Sequence, residues 1–147
     1  MADLNRLETW AAPLLEKLEP GERRKLARTI ATDLRRSQRQ RIAEQKNPDG
    51  SSYAPRRAQQ KTGRIRRRAM FAKLRTTKYL KQKYNANAVS VGFFGRIANI
   101  ARVHQYGLRD KVAKDGPEIQ YEQRELLGFT DRDIDLIQQH LIDHLIK

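Results

Sequence analysis

The residues best suited by type and spacing to do chemistry are His140 and His144, which stand four apart and so share one face of a helix. Two imidazoles at that spacing can hold zinc. Here the segment reads His140-Leu141-Ile142-Asp143-His144, without the glutamate of the metalloprotease pattern and without an evident third ligand. A cationic pair beside a helix C-terminus, favoured by the dipole, is the simpler reading. His104 lies on an apolar-flanked stretch and reads as a hydrogen-bonded packing residue rather than a base. Asp131, Asp133 and Asp135 crowd the start of the last helix, where capping accounts for them. Lys61-Thr62-Gly63 lacks the glycines of a phosphate loop, and Gly92 and Gly95 flank two phenylalanines rather than a nucleotide cradle. With no cysteine, thiolate nucleophiles, thiolate metal sites and disulfides are excluded. No set of nucleophile, base and orienting group stands out, so a non-enzyme with no cofactor and no metal is expected.

The strongest signal is charge. Of a net +14, all the excess falls in the middle: residues 50–109 hold 15 Lys or Arg and no acid. The first 49 residues are nearly balanced, and the last 38 are slightly acidic. Such a block must meet something negative, either nucleic acid or an acidic protein surface. Arg56, Arg57, Arg64, Arg66, Arg67 and Arg68 are the residues we expect to bind a partner. Interleaved aromatics, among them Tyr53, Phe71 and Phe94, permit base stacking. No helix-turn-helix, finger or RNA-recognition signature accompanies them, which leaves nonspecific contact with phosphate as the form of the nucleic-acid alternative.

The elements that carry these residues are legible in outline. A chain of 147 residues has room for one core. No apolar run approaches a membrane span, and the first ten residues, with Asp3 and Glu8, do not resemble a leader, so a soluble protein without membrane contact is expected. Leu4, Leu7, Ala11, Leu14 and Leu18 predict an amphipathic helix with Asp3 as N-cap and a kink or break at Ala12–Pro13. Leu26, Ile30, Leu34 and Ile42 predict a second helix, with Arg35, Arg36, Arg39 and Arg41 crowding its second half, ending before the turn Asn47-Pro48-Asp49-Gly50. Residues 51–68 read as a long basic arm, mobile in the free subunit. Tyr79–Tyr84 and Ala88–Phe94 predict a hairpin. A short helix from Ile97 should end at Gly107 in left-handed conformation. Lys111–Pro117 reads as a loop, Ile119–Leu126 as a strand, and Thr130 with Asp133 as the capping box of a last helix with Ile134, Ile137, Leu141 and Leu145 buried. The expectation is a single α+β domain: helical over 1–46, an arm over 51–68, and helices with a small antiparallel sheet over 70–147.

Ala101-Arg102-Val103-His104-Gln105-Tyr106-Gly107 resembles the helix-ending motif of the phage virion-morphogenesis (tail-completion) proteins. Three further stretches are similar in the right order: Asn47-Pro48-Asp49-Gly50, Phe71 to Leu80, and Arg124-Glu125-Leu126-Leu127-Gly128. Many members carry a proline and an aromatic where Glu125 and Leu126 stand, so this chain belongs to one branch of the pattern. The resemblance implies structural roles for Asn47, Pro48, Asp49, Gly50, His104, Gln105, Tyr106, Gly107, Arg124, Leu127 and Gly128. It implies a virion protein in the neck region of a phage tail, assembled in the host cytoplasm, that forms a ring, hexameric in the family. Its implied partners are the tail terminator, tube or sheath proteins and the head–tail connector, with nonspecific contact to phage DNA as a further option. The opposite charges of the middle and the C-terminal end suit a head-to-tail contact between identical subunits.

Overall fold

The chain was analysed as a computed structural model, which describes residues 4–55, 69–111 and 115–146. Four helices and two two-stranded antiparallel sheets make an α+β architecture. Helix α1 covers Leu4–Glu16 and α2 covers Pro20–Ala43, with Pro20 in the first turn, where its missing amide costs nothing. Strands β1 (Leu80–Tyr84) and β2 (Val89–Phe93) form the expected hairpin, Leu80 opposite Phe93 and Tyr84 opposite Val89. Asn85 closes the turn, its Oδ1 accepting from the amides of Asn87 and Ala88. Helix α3 (Arg96–Tyr106) follows, then β3 (Arg109–Lys111) paired with β4 (Glu118–Gln120), and finally α4 (Asp131–Ile146).

Helix α2 serves two cores. Its first half packs Leu26, Ile30 and Leu34 with Leu7 and Ala11 of α1 and Ile134 and Leu141 of α4. Near its end, Ile42 joins Tyr53, Leu80, Phe93, Ala101 and Leu126. The capping box of α4 forms as read: the Thr130 amide donates to Asp133 Oδ2 and the Asp133 amide to Thr130 Oγ1, both at 3.0 Å. The buried Asp133 carboxylate also accepts from the Ser37 hydroxyl of α2, which fixes the two helices to each other.

The structure corrects four expectations. Helix α1 runs unbroken through Pro13: Pro13 and Thr9 both face solvent, so the carbonyl that loses its donor is exposed to water. The basic arm does not begin at Ser51, because Tyr53 is buried and the Ala54 and Pro55 carbonyls are bonded to Arg124. Arg56, Arg57, Arg64, Arg66, Arg67 and Arg68 lie outside the described residues, as does Asp3. Lys111, expected in a loop, ends the strand Arg109–Lys111, and the strand expected over 119–126 begins at Glu118 and stops at Gln120. Beyond it the backbone exchanges ladder partners for side chains of α2 and α3.

Candidate functional site: a buried polar junction

Three of the short motifs, far apart in sequence, meet at one place. The stretch Arg124–Gly128 has almost no regular structure, yet nearly every polar backbone group in it is bound by a side chain from elsewhere. Gln105 of α3 accepts from the amides of Leu126 (2.8 Å) and Leu127 (2.9 Å) and donates to the Leu127 carbonyl (2.7 Å). Asn47 Oδ1 accepts from the Glu125 amide at 2.9 Å. Gln38 of α2 donates to the Gly128 carbonyl at 2.7 Å and accepts from its amide at 3.2 Å. Two amide side chains, Gln105 and Gln38, thus imitate neighbouring strands along this segment.

Arg41 is the centre of the junction. It is only 7% exposed, and its guanidinium donates to the carbonyls of Lys46 (2.8 Å), Glu125 (2.8 Å) and Leu126 (2.7 Å) and to Gln38 Oε1 (2.6 Å). The charge is met by carbonyl dipoles rather than by a carboxylate, and the planar fork suits that task as an ammonium would not. Tyr53 donates to the same Glu125 carbonyl at 2.9 Å. Burial raises the pKa of its phenol, outweighing the opposing effect of Arg41, so the hydroxyl stays a donor. Arg124, also buried, reaches the carbonyls of Ala54 (2.7 Å) and Pro55 (3.0 Å), while its own amide donates to the His104 carbonyl at 2.8 Å.

The remaining motif residues take their places around this centre. Gly107 ends α3 at φ 62°, ψ 54°, and a β-carbon there would stand 3.0 Å from the Gln123 amide nitrogen. Gly128 is pressed against the ring of Pro48. Asp49 closes the turn by accepting from the Ser51 amide and hydroxyl, and the Ser51 bonds hold its pKa below the usual carboxylate value. Gly50 supplies the positive φ of that turn, 90°. Leu127 rests over Gly92 of β2. The His104 ring is clasped edge-on by Phe71 and Tyr121, with centroids 4.9 and 5.1 Å away. Burial, and secondarily the Arg124 charge, lower its pKa, and its Nδ1 has no partner among the described residues. Tyr106 is the exception: it points outward and is 62% exposed.

Gln38, Arg41 and Tyr53 are absent from the set read in the sequence. A signal for two of them existed: Leu34, Gln38, Arg41 and Ile42 fall at four-, three- and one-residue steps on the buried side of α2, so Gln38 and Arg41 stand where apolar residues belong. The two C-terminal histidines do not share a ligand. His140 Nε2 lies 2.5 Å from Asp33 Oδ2, and His144 Nε2 lies 3.1 Å from Glu22 Oε2, each bonding α4 to a separate carboxylate of α2. They are half-buried seam residues rather than a solvated pair. Among the described residues, no group of three or more His, Cys, Asp or Glu is placed to hold a metal ion, and no helix is long and apolar enough to cross a membrane.

Geometry of this kind defines a protein whose buried and half-buried polar side chains Gln38, Arg41, Gln105 and Arg124 are used to hold its own irregular segments. Residues 2–146 match the phage virion morphogenesis family, and the chain belongs to that family. It is 42% identical, over 99% of its own length and 99% of the relative's, to tail completion protein S of Escherichia phage P2. No solved structure matches it.

Proposed function

We propose that this chain is a non-enzymatic virion subunit that completes the head-proximal end of a phage tail and helps join tail to head. The observation that carries the reading is similarity, over 99% of both chains, to a protein named for tail completion. The junction supports it, since Gln38, Arg41, Asn47, Gln105 and Arg124, residues that might have formed a reactive centre, are all bonded to backbone groups. The subunit acts by assembly into a ring with copies of itself, hexameric as the family pattern implies, and contacts tail terminator, tube or sheath proteins and the head–tail connector. Exposed Tyr106, Ile100 and Phe94 are the kind of aromatic and aliphatic anchors on which protein interfaces depend.

The test is a phage lacking this gene, imaged by electron microscopy and complemented from a plasmid. Full heads beside unjoined tails, restored to whole particles by the wild-type chain, are expected. Normal particles in the deletion strain overturn the proposal. Sedimentation of the purified chain at low and high salt tests the ring: a strict monomer at high concentration, also with tail proteins present, counts against it.

A further inference from the structure

We propose that the outer face of α2 is a sequence-independent binding face for the phosphate backbone of double-stranded nucleic acid. This goes beyond the assembly role and does not depend on it.

Arg24, Lys25, Arg28, Arg36 and Arg39 are all exposed, and a 3.6-residue period places them on one side of α2. Between Arg24 and Arg39 the helix rises about 22 Å. The two acids within α2, Glu22 and Asp33, are turned toward α4, where His144 and His140 take them up. Lys25 and Arg36 reach those same acids at 3.5 and 3.3 Å across the helix surface, while Arg28 and Arg39 face solvent without an acidic partner among the described residues. Charge counted along the sequence hides this separation, because the first 49 residues are nearly balanced.

Strand β1 borders the face. It lies antiparallel along α2, fixed by Arg35 Nε donating to the Leu80 carbonyl at 2.7 Å, by Gln82 donating to Thr32 at 3.0 Å, and by Arg24 over the Tyr84 ring at 5.6 Å. Lys81 and Lys83 alternate with Gln82 and project from the opposite side of the strand, where Lys83 lies over the Phe94 ring at 4.1 Å, so the cations of the face are those of α2. Burial lowers the Arg35 pKa, and the adjacent Arg39 charge adds to the effect, as a crowded positive surface requires.

Two observations favour a polyanion over a protein as the occupant. None of the exposed large hydrophobic side chains among the described residues belongs to α2, whereas a protein interface needs an apolar centre. The positions between the cations, Thr29, Thr32 and Gln40, are all exposed and polar, and the Thr32 hydroxyl, which accepts from Gln82, keeps its own proton for a phosphate oxygen. Nothing on the face offers a helix end or side-chain fork aimed at base edges, so backbone contact without sequence preference follows.

The experiment uses the full-length chain and a fluorescent random-sequence duplex of about 30 base pairs, with anisotropy read across a potassium chloride series. Binding in the micromolar range at about 50 mM salt is expected, with a log–log slope of roughly −0.9 for each phosphate neutralised. Changing Arg24, Arg28, Arg36 and Arg39 together to Gln should weaken binding at least about tenfold and flatten the slope by about 3. A second variant, with exposed Arg96, Arg102, Arg109 and Arg132 changed to Gln, removes the same charge elsewhere and should retain most of the affinity. Circular dichroism confirms that both remain folded. No duplex binding by the wild-type chain, or equal loss in the two variants, overturns the proposal. So does a result in which the α2 variant keeps its duplex affinity but loses self-association, which would make the face a protein contact.

Discussion

Gly128 sits against Pro48 so closely that a β-carbon on it would lie 2.4 Å from the proline Cγ, across 80 residues of sequence. The proline ring has few ways to retreat, because its turn is closed by Asp49 and its neighbour Asn47 is bonded to the Glu125 amide. Gly128→Ala should therefore destabilise the fold by about 1–3 kcal/mol through overpacking. Denaturant unfolding of the two proteins measures it, and an unchanged midpoint would show that Pro48 yields freely.

Arg41→Met should cost roughly 3 kcal/mol, since it leaves the carbonyls of Glu125 and Leu126 and the amide oxygen of Gln38 short of their donor inside the protein. Arg41→Lys should recover only part of that loss, because an ammonium cannot span the same acceptors. Thermal unfolding ranks the three proteins. Equal stability of the Lys form and the wild type would mean that the charge, and not the fork, is what the junction needs.

His104 predicts a pH dependence. Its pKa is lowered in the folded chain, first by burial and then by Arg124, so the folded state binds a proton less readily than the unfolded state. Its contribution to stability is complete above the unfolded value of about 6.5 and declines as pH falls below it. Removing that titration by His104→Gln should flatten the profile between about pH 6.5 and the lower folded value. The variant should still join tails in a complementation assay, since the ring makes packing contacts with Phe71 and Tyr121 and no acid–base role is asked of it. A folded His104→Gln protein that fails wholly in joining would contradict the packing role.

Gly107→Val should be harmful on two counts, the left-handed φ of 62° and the contact with the Gln123 backbone. The strain alone is about 1–2 kcal/mol. Gly50→Ala, at φ 90° with open space around it, should suffer only the conformational penalty and so be the milder change. Unfolding midpoints of the pair separate strain from crowding.

How far the sequence alone reaches is best seen by comparing particular residues. Thr130 and Asp133, three apart, announced the start of α4, and Gly107 the end of α3, because both signals are local and act through backbone a few residues away. The hairpin and the Leu26-Ile30-Leu34 stripe were legible for the same reason. Pro13 misled, because whether proline breaks a helix depends on whether the freed carbonyl meets water. The candidate site was visible only as scattered words: Asn47, Gln105, Arg124 and Gly128 were each identifiable, but that they converge, and that Gln38 and Arg41 complete them, depends on tertiary partners 21 to 90 positions away. Residues 121–126, expected to continue the strand, instead have their backbone bound largely by side chains rather than by another strand.

The junction also sets an order of events during synthesis. Gln38 and Arg41 leave the ribosome long before Glu125, Leu126 and Gly128, the residues that bind them 84 to 90 positions later. Until then the Arg41 guanidinium has only the local acceptors of Gln38 and Lys46, and the cluster around Ile42 lacks Leu126. Loop closure of that length is a slow, non-local step. The chain consequently cannot lock its tertiary structure before translation is nearly finished, and premature termination upstream of Arg124 removes α4 from the first core and Leu126 from the second.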